Sequence, residues 1–114
     1  MNKKAVGNTG ELVVREYLEE NGYKILKHNE KIAGVEIDIL ASKDNILVFC
    51  EVKTRENDHF GAGIEGVSQT QQKRYLRAAS LMSAKDKYKN MDIRFDVIEV
   101  TRGKINHVED AFRG

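Results

Sequence analysis

Three residues set the chemical question. Asp38 lies within Val35-Glu36-Ile37-Asp38-Ile39-Leu40-Ala41, and Glu51 and Lys53 close the run Ile46-Leu47-Val48-Phe49-Cys50-Glu51-Val52-Lys53. Two carboxylates and an ammonium, each at the end of a strand-like apolar run, are groups that can hold a hard divalent cation against a phosphate. The polar break Ser42-Lys43-Asp44-Asn45 between the runs predicts a β-hairpin. If Ala41 sits opposite Ile46, Asp38 faces Phe49, and Glu51 is the next residue along on the same face, with Cβ atoms about 7 Å apart. A one-residue slip would separate the two carboxylates.

Such a pair is hard to justify without a cation. Two carboxylates about 5 Å apart repel by about 3 kcal/mol at an effective dielectric near 20, and one lysine offsets this only in part. Mg2+, or Mn2+ in its place, takes oxygen ligands and keeps several waters. Asp38, Glu51 and the backbone carbonyl of Val52 are therefore the expected metal ligands, with a substrate phosphate completing the shell. The chemistry that follows is phosphodiester hydrolysis: the metal acidifies a water and polarises the phosphate, while Lys53 aligns the water or stabilises developing charge. The competing reading makes these residues plain strand ends reaching solvent, with a surface ion pair worth ~0–1 kcal/mol.

The elements that must position these groups are legible in the periodicities. From about Asn8 to Asn21, Val13, Val14, Tyr17 and Leu18 form one helical stripe, which Asn21-Gly22 ends. Tyr23 to His28 reads as a short strand near a sheet edge, because Lys24 and Lys27 interrupt it. The strand from Ile46 is apolar on both faces up to Cys50, which predicts a central strand covered on two sides. Beyond a loop with Gly61, Gly63 and Gly66, Ser68-Gln69-Thr70-Gln71 matches a capping box, and Tyr75, Leu76, Ala79 and Met82 follow at helical spacing. Ile93 to Val100 is a strand, Arg102-Gly103 a turn, and Lys104 to Val108 its partner. The expected fold is α/β in the order α-β-β-β-α-β-β, a mixed central sheet flanked by helices.

On the first helix Glu11 shares the row of Val14 and Leu18 and leans towards the core. Two readings stand: a further metal-shell ligand or water-orienting base, or a first-turn acid that complements the helix dipole. Phosphate contacts are expected from Arg55, Lys73, Arg74 and Arg77, and the glycine-rich loop with His59 and Phe60 is placed to cover substrate. Solvated helix faces carry such charges as well.

At these residues the chain resembles the YraN-like, UPF0102 group of small bacterial proteins, themselves similar to archaeal Holliday-junction resolvases within the PD-(D/E)XK nuclease superfamily. Gly7-Asn8-Thr9-Gly10-Glu11 resembles the group's G-x-x-G-E helix opening. Gly34 to Ala41 resembles its G-x-E-I-D-L-I-A segment, Val48 to Arg55 its V-F-V-E-V-K-T-R segment, and Arg94-Phe95-Asp96-Val97-Ile98 its R-F-D-V-I strand. The likeness runs from about Gly7 to Val100. It implies a restriction-endonuclease-like fold, Asp38 as the motif aspartate, Glu51 and Lys53 as the E-x-K pair, Glu11 as the helical acid, and a Mg2+-dependent endonuclease acting on structured or branched DNA. Glu36 matches too; metal binding, water orientation and a salt bridge are all open to it. Gln71 and Tyr75 fit a Q-x-x-x-Y pattern found on a helix in some nucleases of the superfamily, which would set them behind the metal ligands. Ile37 replaces the superfamily's nominal proline, as is usual in this group, and Val35 stands where many relatives carry glycine.

Composition bounds the rest. At 114 residues, with 40% hydrophobic and 32% charged residues, the chain is expected to be a single domain spanning residues 1–114. A net charge of +1 gives no global attraction for a polyanion, so any nucleic-acid case rests on local sites. One cysteine, Cys50, rules out an internal disulfide. No stretch has the ~20 apolar residues of a membrane span. With no apolar secretion signal at Met1 to Gly7, the expected location is cytoplasmic, with no membrane partner. A homodimer is the assembly that cutting at a junction would call for. Two alternatives remain: a nucleic-acid-binding protein on a nuclease fold without catalysis, and an interaction module that binds no nucleic acid.

Overall fold

The computed structural model describes residues 3–55, 67–102 and 104–113, with side chains from Gly10 to Thr54 in the first of these. The loop carrying His59, Phe60, Gly61, Gly63 and Gly66, and the side chain of Arg55, lie outside the described residues. The elements are α1 (Lys3–Glu20), β1 (Lys24–Ile32), β2 (Val35–Lys43), β3 (Ile46–Arg55), α2 (Gln69–Ser83), β4 (Asp92–Thr101) and β5 (Lys104–Val108), in the expected order. The five strands form one mixed sheet in sequence order. Only the β3–β4 step is parallel, and α2 lies in the crossover that such a step requires.

The β2–β3 register differs from expectation by two residues: Ala41 pairs with Val48, and it is Lys43 that lies opposite Ile46. The loop is shorter than the four polar residues suggest. Asp44 and Asn45 both take positive φ, 50° and 64°, the pair of conformations that lets two residues reverse a hairpin, so Ser42 and Lys43 stay in the ladder. An even slip keeps every side chain on its predicted face. A second two-residue turn, Ala33 and Gly34 at φ 54° and 78°, extends β1 past His28 to Ile32. At the other end, α1 reaches back beyond Asn8 to Lys3, through residues with no apolar stripe to reveal them.

Helix α1 ends as Asn21-Gly22 predicts. Gly22 has φ 88°, its N–H donates to the Glu19 carbonyl, and the Tyr23 N–H donates to that of Leu18, which together cap the last turn. Val14 and Leu18 pack on Val48, Cys50 and Ile98 on one face of the sheet. Tyr75, Ala78 and Met82 of α2 pack with Leu40, Leu47, Phe49 and Val97 on the other. β3, covered on both sides, is the central strand that its apolar run foretold. Gly10 explains how closely α1 approaches it, because a Cβ there would meet Thr54 Oγ1 at 2.7 Å.

A buried polar network locks β4, β5 and α1 together. Asp96, with no solvent exposure, accepts from Arg94 Nε (2.9 Å) and Nη2 (2.8 Å) and from the Asp110 N–H (3.0 Å), and its Oδ2 lies 2.6 Å from His107 Nε2. Tyr17 Oη lies 2.8 Å from His107 Nδ1, and Arg94 Nη2 also donates to Tyr23 Oη. Burial pushes the Asp96 carboxyl up, but the bonds from His107, Arg94 and Asp110 more than offset it and hold it below its ordinary value. Removing the acid leaves the part-buried Arg94 guanidinium and the His107 ring without their partner. Asp96→Ala is expected to cost about 3 kcal/mol, read as a lower urea midpoint at pH 7. Because the folded value is depressed, that contribution is present above the unfolded 3.8 and fades only as the pH falls through the lower, folded value.

Candidate functional site

Leu40 and Phe49 are cross-strand partners facing α2, and Asp38 and Glu51 are two residues further along the same strands. Both carboxylates therefore emerge on the α2 face, at the end of the β2–β3 ladder. They line a cleft of about 610 Å3 between α2 and the β1–β2 turn, together with Glu36, Gln71, Arg74 and Arg77. Asp38 Oδ2 accepts from the Val52 N–H at 2.8 Å, which ties the first carboxylate to the strand of the second.

Glu51 is held from two directions. Gln71 Nε2 donates to its Oε2 at 3.2 Å, and Lys53 Nζ lies 3.6 Å from its Oε1. Gln71 plays only half the part a capping box gives it. Its backbone N–H donates to Ser68 Oγ at 3.1 Å, capping α2, while its side chain turns to Glu51 instead of back to the cap. Tyr75, one turn on, is 1% exposed. Its hydroxyl makes no well-formed hydrogen bond among the described residues. Burial, with the nearby charges of Glu51 and Asp38, pushes its ionisation far up, so it stays a neutral phenol.

Asp38 is the group these surroundings perturb most usefully. Burial first, then the charge of Glu51, and further those of Glu11 and Glu36, push its carboxyl up to about 7 against the opposing bond from Val52. Glu11 is buried against β1, where His28 Nδ1 lies 3.4 Å from its Oε1 without forming a hydrogen bond. Its charge acts on Asp38, while its own close contact is with His28. Among the described residues no three His, Cys, Asp or Glu side chains converge as a metal cage. An ion satisfied by two carboxylates, waters and a substrate phosphate, as Mg2+ is, needs no such cage.

The remaining expected residues divide. Arg74 and Arg77 line the cleft; Lys73 is exposed on α2 and lines none of the clefts described. Glu36 lies opposite Lys31 in the β1–β2 ladder, and both border the cleft. Two residues escaped the sequence reading. Lys31 brings a cation to the cleft from β1. Glu99, 1% exposed, is the register partner of Lys53 and accepts from Asn106 Nδ2 at 3.2 Å. Alternation along Phe95, Val97 and Glu99 was the signal that this acid faces α2.

The family model described as "Uncharacterised protein family UPF0102" matches residues 10–100. The chain belongs to the UPF0102 family. It is 40% identical to a UPF0102 protein of Caldanaerobacter subterraneus subsp. tengcongensis, over 98% of each chain. It is 42% identical to one of Clostridioides difficile, over 98% of this chain and all of the other. A third, from Alkaliphilus metalliredigens, is 40% identical over 96% of this chain and 98% of its own. The family match takes in every residue of the UPF0102 cleft, while β5 and the tail that completes the Asp96 network lie beyond it.

A carboxyl raised from 3.8 to about 7 is more protonated folded than unfolded between those values, so it lowers stability as the pH rises through that window. Asp38→Asn keeps an acceptor for the Val52 N–H and removes the charge. Its unfolding free energy is expected to match that of the natural chain near pH 4 and exceed it at pH 8, by on the order of 2 kcal/mol after allowance for partial exposure. Equal stability of the two proteins at pH 8, in chelator, would show that the pair carries no strain.

Proposed function

We propose that this chain is a divalent-metal-dependent endonuclease that hydrolyses phosphodiester bonds in DNA, structured or branched DNA included. The observation that carries the reading is the Asp38–Glu51 pair. Two carboxylates from neighbouring strands face one cleft, and the first is raised to about 7 by burial and by the second. A pair that retains a proton near neutrality is one that a dication would relieve. The resemblance to junction-cutting proteins of the PD-(D/E)XK type supports the same assignment for Asp38, Glu51 and Lys53.

Asp38 and Glu51 would hold Mg2+ or Mn2+. The Val52 carbonyl is a further donor, since in a strand it projects to the same side as the N–H that binds Asp38. When bound, the ion supplies Lewis acidity to the scissile phosphate and to an attacking water. The protein's own groups do the rest. Gln71 fixes the rotamer of Glu51, and Lys53, 3.6 Å from the same carboxylate, is placed to align the water or meet negative charge developing on the phosphate. Water forms the new P–O bond and gives up a proton to solvent, the ester P–O bond breaks with its electron pair on the departing oxygen, and that oxygen takes a proton from solvent. Glu11 is a candidate water-orienting base or outer ligand, Tyr75 a neutral wall behind Glu51, and Arg74 and Arg77 anchors for substrate phosphates.

Cleavage of duplex, flap, single-stranded and four-way-junction DNA in Mg2+ and in Mn2+ tests this. The natural chain is expected to cut at least one substrate, with Asp38→Asn and Lys53→Ala slower by about 100-fold or more and still folded. Equal cleavage by all three proteins, or no cleavage of any substrate by the natural chain, would refute the proposal.

A further inference from the structure

The catalytic cleft does not end at Arg77. A second cleft of about 250 Å3 adjoins it, sharing Lys31 and Ala33, and runs between β1 and the far end of α2. Arg74, Arg77, Leu81 and Lys85 follow at spacings of three, four and four, the stripe of one helix face. Lys85 lies just past the helix end but stays in line, since Ala84 is still helical and the Lys85 N–H donates to the Met82 carbonyl. Lys27 and Lys31 form the opposite wall.

Charge is segregated there. Five cations line the joined clefts, and apart from Asp38 and Glu51 their acids are Glu30, bound to Lys27 at 3.2 Å, and Glu36, opposite Lys31. A chain of net charge +1 thus holds a basic trough that leads away from its acidic centre. Leu81, half exposed, sits between Arg77 and Lys85 as an apolar patch among the cations. Cations on both walls with an apolar contact between them suit one nucleic-acid backbone, whose phosphates meet the walls while a base or sugar rests on Leu81.

We propose that this trough is a track for a single DNA strand, which leaves the Asp38–Glu51 centre past Arg74, Arg77 and Lys31 and continues along Leu81 to Lys85 and Lys27. It rests on the nuclease reading for what happens at the centre, though binding to the track requires no hydrolysis. A strand held there delivers one phosphate to the carboxylates and keeps its neighbours in register.

The test is fluorescence anisotropy with labelled single-stranded DNA in EDTA, over a range of salt concentrations. The comparison is between the natural chain, Lys85→Gln, Lys27→Gln, the double variant, and Lys104→Gln at the opposite edge of the sheet as an equal loss of charge. The slope of log K against log salt is expected to fall by about 0.7 for each track lysine removed and to stay unchanged in Lys104→Gln. Leu81→Ser is expected to weaken binding several-fold at unchanged slope. A slope unaltered by the track variants, duplex bound as tightly through the same residues, or equal competition by polyglutamate would overturn the track. Because no metal is present, loss of cleavage in a separate Mg2+ assay leaves the track standing, and an unchanged slope leaves hydrolysis at Asp38 and Glu51 untouched.

Discussion

Two carboxylates brought by adjacent strands into one partly dry cleft repel each other, and the protein alone relieves that repulsion only in part. Lys53 stands beside Glu51 and the Val52 N–H bonds Asp38, yet the Asp38 carboxyl is still pushed up to about 7. A low-dielectric wall makes this unavoidable, because α2 and the hairpin exclude the water that would otherwise screen the pair. The surrounding structure can be understood as what keeps these groups in place despite that cost.

Rigidity comes from the sheet. β3 is paired with β2 up to Cys50 and with β4 along its whole length, and is covered on both faces, so the backbone that carries Glu51 and Lys53 has little freedom to retreat. The Asp96 network does the equivalent for the far half, tying β4 to β5, to α1 and to the chain beyond β5. Phe112 then stacks on Phe95 at 4.9 Å and meets Tyr75 edge-on at 6.3 Å, so the C-terminal segment packs against the ring that backs Glu51. Structural polarity sits at Asp96 and chemical polarity at Asp38, on opposite faces of one sheet.

Much of this was legible in the sequence because the decisive signals have period two. Asp38 and Glu51 share a face in any register that differs from the true one by an even number of residues, so the two-residue error at Asp44-Asn45 left both carboxylates on the same face. The capping residue Ser68 was equally plain, but the side chain of Gln71 was not, since one amide can close a cap or reach a carboxylate and only tertiary packing decides. Lys31 and Glu99 were missed for a related reason. Lys31 enters the cleft because β1 runs past His28 to a second tight turn. Glu99 lies in a strand that local pattern marks as core, and its partner Lys53 comes from a parallel pairing across a long crossover. Glu11 is intermediate: its inward lean could be read from its helical row, but its contact with His28 depends on a strand distant in sequence.

The central claim is that Asp38 and Glu51 form a cation site at which an ion displaces the proton that the raised Asp38 carboxyl retains. Calorimetric titration of the chain with Mn2+ near pH 7, repeated in buffers of different ionisation enthalpy, addresses it most directly. The account predicts one ion bound per chain with release of a fraction of a proton, and loss of both signals in Glu51→Gln. No binding, or binding that releases no proton and survives that substitution, would contradict it.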